Sequence, residues 1–207
     1  MPNALLDHDV FEKDDEKNLK LILKALAFAA HRHRNQRRKD AGASPYINHP
    51  IDLALLLVNE ADISDTDVIC AALLHDTLED TDTTVTDLLM AFGQSICAIV
   101  QEVTDDKTLP KAERKRLQIE QAAKTSYPAR LVKLADKICN LRDINHDPPV
   151  DWSPERKREY YFWAEQVIDG IRGTHERLEQ LFDATYAEGL ATLAAPDNDK
   201  LSVSETG

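Results

Sequence analysis

From Val68 to Leu74 the chain reads Val-Ile-Cys-Ala-Ala-Leu-Leu, and it then passes directly to His75-Asp76-Thr77-Leu78-Glu79-Asp80. The apolar run predicts a helix buried on every side. A helix that buries its stem cannot carry ionisable groups at its tip cheaply, because desolvated charge is costly unless it is paired or metal-bound. Continued as one helix, the segment would set His75 and Glu79 one turn apart on one side, with Asp76 and Asp80 one turn apart on the adjacent row. Carboxylates converging on an imidazole in this way repel one another unless a cation sits among them. The segment therefore demands a fold that wraps it and a chemistry that neutralises its end.

The 207 residues suit one domain with a single core, and only six glycines among long amphipathic stretches predict an all-α build of roughly eight to ten helices. Residues 1–15 read as a flexible acidic arm, 16–190 as the helical domain and 191–207 as a disordered polar tail. Within the domain, the 3.6-residue period places helices at about 16–36, 47–59, from a Ser64 cap with Asp67 three residues on, from Thr83 or Thr84 to Gly93, and at about 94–103, 111–124 and 128–144. Ser153-Pro154 opens a last long helix whose apolar stripe runs from Tyr160 to Phe182 and could extend to a second copy of the chain.

The net charge of −12 argues against a nucleic-acid or anionic-membrane binder, and it obliges any anionic substrate to find a locally positive pocket. Cys70, Cys97 and Cys139 each sit among apolar residues without a CxxC motif, as reduced core thiols of a cytoplasmic protein do. No stretch reads as a membrane span or a signal peptide.

Two further segments bear on the His-Asp tip. His49 lies in Pro45-Tyr46-Ile47-Asn48-His49-Pro50, where the proline restricts its backbone and suits it to a helix entrance. Asp136 interrupts the mostly apolar stretch Val132–Leu141, with Asn140 one turn further on. His49, His75, Asp76 and Asp136 thus offer a mixed imidazole–carboxylate set from three helices, suited to manganese, iron or zinc. Each residue also has a plainer reading. Asp136 can pair with Lys133 or Lys137, Glu79-Asp80 can serve capping of the next helix, and Arg37-Arg38-Lys39 can be a solvated cluster at a helix C-terminus.

Taken in order, the segments resemble the HD-domain hydrolases of the RelA/SpoT family, and more closely the stand-alone, MESH1-like small alarmone hydrolases. The resemblance runs from about residue 20 to 185 and rests on His33–Asp40, Pro45–Pro50, Ala72–Thr81, Glu102–Lys107 and Val132–Asp143. It implies a single HD-domain helical bundle without the synthetase domain of the long members. It further implies a manganese ion (Mn2+) held by His49, His75, Asp76 and Asp136, and a water assisted by Glu79-Asp80, with the base unassigned between them. Arg38, Lys39, Tyr46 and Asn140 match positions that meet the nucleotide, and Arg156 and Tyr160 match positions that meet its phosphates.

The activity so implied is release of the 3′-pyrophosphate of guanosine tetra- or pentaphosphate (ppGpp or pppGpp), giving GDP or GTP and pyrophosphate. The same chemistry on ppApp, or on the 2′-phosphate of NADPH, is an alternative of one kind. A catalytically silent nucleotide sensor is an alternative of another.

Overall fold

The computed structural model describes residues 6–194, and the expected disordered tail falls largely on 195–207, outside them. Among the described residues there are nine α-helices and no strand: α1 (Leu6–Arg32), α2 (Asn48–Ala61), α3 (Thr66–Leu74), α4 (Thr77–Asp80), α5 (Val85–Val103), α6 (Lys111–Gln121), α7 (Tyr127–His146), α8 (Pro154–Asp169) and α9 (Glu176–Ala194). The all-α expectation holds, and α3 is the hub. Every residue from Val68 to Leu74 is buried, and α1, α2, α5 and α7 pack around it. That burial contributes to the hydrophobic drive of the core, together with the buried face of α7. Its consequence is positional, since the ionisable tip of α3 is carried into the middle of the domain.

Several boundaries differ from the sequence expectation, each for a local reason. α1 begins at Leu6 rather than near residue 16, because residues 6–15 contain neither glycine nor proline and continue the helix. It ends at Arg32 rather than 36, where His33 and Gln36 close a turn through Gln36 N–H to His33 carbonyl at 2.9 Å. Asp65, one residue after Ser64, caps α3, accepting from the N–H groups of Asp67 and Val68. Of the two caps expected, Thr83 or Thr84, Thr84 caps α5, in a capping box with Asp87, and Gly93 at φ 83° kinks the helix where two were expected.

The long C-terminal helix is two. Gly173, at φ 84°, reverses the chain between α8 and α9, and Glu179 then accepts from the N–H groups of Gly173, Thr174 and His175. α9 returns against α7, with Arg142 of α7 forked onto Glu60 of α2 at 2.6 and 2.9 Å.

Candidate metal centre

The tip of α3 is not continued as helix. His75 is its C-terminal cap and Asp76 (φ −95°, ψ −1°) sits in a turn before the single turn of α4. Thr77 stabilises the break by donating its hydroxyl to the Leu74 carbonyl at 2.6 Å. The break corrects the expected helical rows. His75 and Asp76 are directed into the bundle, whereas Glu79 and Asp80 are displaced onto a second short element.

Three helices bring their ligand atoms together. Donor atoms of His49 (start of α2), His75 (end of α3) and Asp136 (middle of α7) all lie within 4.8 Å of one another. His49 Nε2 is 3.2 Å from Asp136 Oδ1, and His75 Nε2 is 3.9 Å from the same oxygen. Asp76 adjoins this triad through a carboxylate oxygen 2.9 Å from His75 Nε2.

The donor chemistry fits a divalent cation. Ala72's carbonyl can only accept, so His75 Nδ1–H, 2.8 Å away, donates to it and leaves Nε2 turned toward the two aspartates. Neither His75 Nε2 nor His49 Nδ1 has a hydrogen-bond partner, although both are buried. The electrostatics agree: burial alone would lower His75, but the charges of Asp76 and Asp136 outweigh it and raise it to about 9. Burial likewise opposes ionisation of Asp76 and Asp136, yet His75 holds Asp76 low, and Lys137 and His49 hold Asp136 low. Of the plainer readings, one is realised in part: Lys137 Nζ takes the other oxygen of Asp136 at 2.7 Å while lying 4.6 Å from the Trp163 ring centroid. That leaves Oδ1 for the histidines and for Asn140, whose amide donates to it at 2.6 Å.

A cavity of about 420 Å³ lies beside the centre, and its walls include Arg38, Lys39, Tyr46, Asp80, Asn140 and Tyr160. Tyr46 also donates its hydroxyl to Asp76. Arg38 is paired with Asp143, and the Lys39 carbonyl accepts from Val150 N–H at 3.1 Å, which ties the basic loop to the segment before α8. A second cavity of about 230 Å³ shares Trp152 and Tyr160 with the first and is walled by Lys111, Arg114, Lys115 and Arg156. Arg156 lies over Trp152 at 4.7 Å. Burial and then the neighbouring charges of Arg156, Lys39 and Arg114 lower Lys111.

Glu79 and Asp80 have separate surroundings. Glu79 accepts from Asp105 N–H at 3.2 Å and from Arg114 at 3.3 Å, and burial followed by the charge of Asp105 raises its carboxyl. Asp80 borders the larger cavity, accepting from Gln36 at 2.9 Å and from Lys107. Sequence reading missed Lys111, Arg114 and Lys115. Their i, i+3, i+4 spacing is a one-sided cationic stripe, but Lys-Ala-Glu-Arg-Lys-Arg also reads as an ordinary solvated face.

The HD domain family model matches residues 25–160, a span that holds all of these ligand atoms. This chain belongs to the HD-domain family. The chain is 54% identical over 172 residues to the mouse guanosine-3′,5′-bis(diphosphate) 3′-pyrophosphohydrolase MESH1, covering 83% of this chain and 96% of that protein. Against the human protein of the same name it is 57% identical over 159 residues, covering 77% and 89%. Among solved structures it matches a metazoan orthologue of SpoT, described as hydrolysing ppGpp, with a TM-score of 0.79 and 49% identity over 81% of this chain and 94% of that one. The resemblance read from the sequence is thereby established at the level of family and fold.

Proposed function

We propose that this protein is a metal-dependent hydrolase that removes the 3′-pyrophosphate of ppGpp or pppGpp, and that manganese is its metal. One observation carries the reading: a buried His-His-Asp centre lies beside a cavity that shares Trp152 and Tyr160 with a second one, lined by Lys111, Arg114, Lys115 and Arg156, in a chain whose net charge is −12. An acidic protein that gathers Lys111, Arg114, Lys115 and Arg156 at one place is suited to a polyanion. The named activity of the mouse and human relatives supplies the identity of that polyanion.

In this account His49, His75, Asp76 and Asp136 hold the ion. A bound divalent ion lowers the pKa of water and polarises a phosphoryl oxygen. Arg38, Lys39, Lys111 and Arg156 neutralise the pyrophosphate and fix it for attack, which is electrostatic and positional work. Tyr46 and Asn140 wall the nucleoside, and Tyr160 meets the phosphates beside Arg156. Of the pair Glu79 and Asp80, one accepts the proton of the attacking water and the other helps orient it; Asp80 is the one that borders the cavity. The catalytic domain is proposed to span residues 16–190. Three free buried cysteines and the lack of any described helix long and apolar enough to cross a membrane support a cytoplasmic location.

The test is a product assay by ion-exchange chromatography on ppGpp, ppApp and NADPH side by side. Pyrophosphate and GDP should be released from ppGpp, and Glu79→Gln should bind nucleotide while turning over about 100-fold more slowly. Phosphate release from NADPH alone would overturn the substrate assignment.

A further inference from the structure

The carboxylate of Asp80 has two partners of different character. Lys107 reaches one oxygen from a half-exposed position. Gln36 Nε2 reaches the other at 2.9 Å, and Gln36 is itself anchored at both ends. Its Oε1 lies 2.7 Å from Nδ1 of His33, a residue only 2% exposed. An amide oxygen can only accept, so His33 Nδ1 donates, and that bond determines that the NH2 side of the amide faces Asp80. The Gln36 carbonyl accepts from Tyr46 N–H at 3.2 Å, and the His33 and Tyr46 rings lie 4.9 Å apart. Gln36 therefore joins the end of α1, the residue that tethers Asp76, and the acidic pair on α4.

We infer that Gln36 is a positioning residue for Asp80, and that His33 sets the amide orientation it needs. The inference rests on the reading of Asp80 as a water-orienting group, and extends it to Gln36, which also lines the larger cavity, and to the buried His33 behind it. A carboxylate held by one exposed ammonium alone can swing; a second bond from an anchored amide fixes its plane. Misplacement of a reacting group by about 1 Å can cost about 100-fold in rate.

The test is a double-mutant cycle in the full chain with ppGpp and manganese, using Gln36→Leu, Asp80→Asn and the pair. Gln36→Leu should lower kcat by about 10- to 100-fold with KM changed less than about threefold, and should cost nothing further in the Asp80→Asn background. A general collapse of the loop would instead raise KM, since Arg38, Lys39 and Tyr46 lie on it. Three results overturn the inference: kcat within about twofold of the parent, a loss carried by KM, or an equal loss when Asp80 is already replaced. Should Gln36→Leu fail to fold, His33→Leu must reproduce a kcat loss that vanishes in the Asp80→Asn background, and its absence sinks the inference equally. Full activity of Asp80→Asn alone would overturn the reading of Asp80 itself, whereas a crippled Asp80→Asn beside a normal Gln36→Leu overturns only the role of Gln36.

Discussion

At His75 a proton and a metal ion compete for one nitrogen. Nδ1 is committed to the Ala72 carbonyl, so Nε2 alone faces the aspartates. Without metal, its rise to about 9 from the ordinary 6.5 makes the protonated form a stabilising element. Because the folded value lies above the unfolded one, that contribution is complete below pH 6.5 and is lost as pH rises through about 9. It amounts to at most about 3 kcal/mol. Metal takes the proton's place, so the loaded protein escapes this loss. Thermal unfolding at pH 6 and pH 9 should show a drop of several degrees in Tm for metal-free protein beyond any drop in the manganese-loaded form. Parallel curves would refute it. His75 and Asp136 are legible in the sequence because each ends or interrupts an apolar run, where charge needs a partner, whereas His49 is marked only by Pro50 and by the family resemblance. Gln36 and Arg114 carry no such mark: their value comes from carboxylates 44 and 35 residues away in sequence.

Helices were legible wherever the 3.6-residue period met a cap, as at Thr84 and Ser153, both of which accept N–H groups of the turn that follows. The breaks were harder to read. Apolar periodicity runs through the Gly173 reversal, so α8 and α9 look like one helix, and only the backbone conformation of one glycine separates them. The break after His75 depends on Thr77 bonding back to Leu74, a competition between side chain and backbone that composition does not decide. The α9 return has its own requirement. At Gly189 a Cβ would overlap the Tyr161 hydroxyl and the Asn145 amide oxygen, which are bonded to each other beneath it. Gly189→Ala should therefore destabilise the fold by about 1–3 kcal/mol, from overpacking that outweighs the gain in helix propensity. Thermal denaturation checks this, and an unchanged or higher Tm would show that α9 sits further from α8 than described.

Across the whole molecule, charge and shape divide the labour. The acidic surface keeps the chain from binding polyanions indiscriminately, while the 33–46 loop, α6 and the start of α8 bring cations from distant sequence to one mouth. The acidic balance was legible from composition, but the place where it reverses was not, because it arises only when α6 packs on α8. The same packing sets Arg114 of the cationic wall 3.3 Å from Glu79, on the short helix that follows α3. All of this has purpose only if the centre of the bundle holds an ion that the reaction needs. The most direct measurement is ppGpp hydrolysis by protein dialysed against EDTA, followed by ion-exchange separation of the products before and after manganese is returned. The account predicts no pyrophosphate until manganese is added, and none at any manganese concentration from Asp136→Ala; full hydrolysis in EDTA would contradict it.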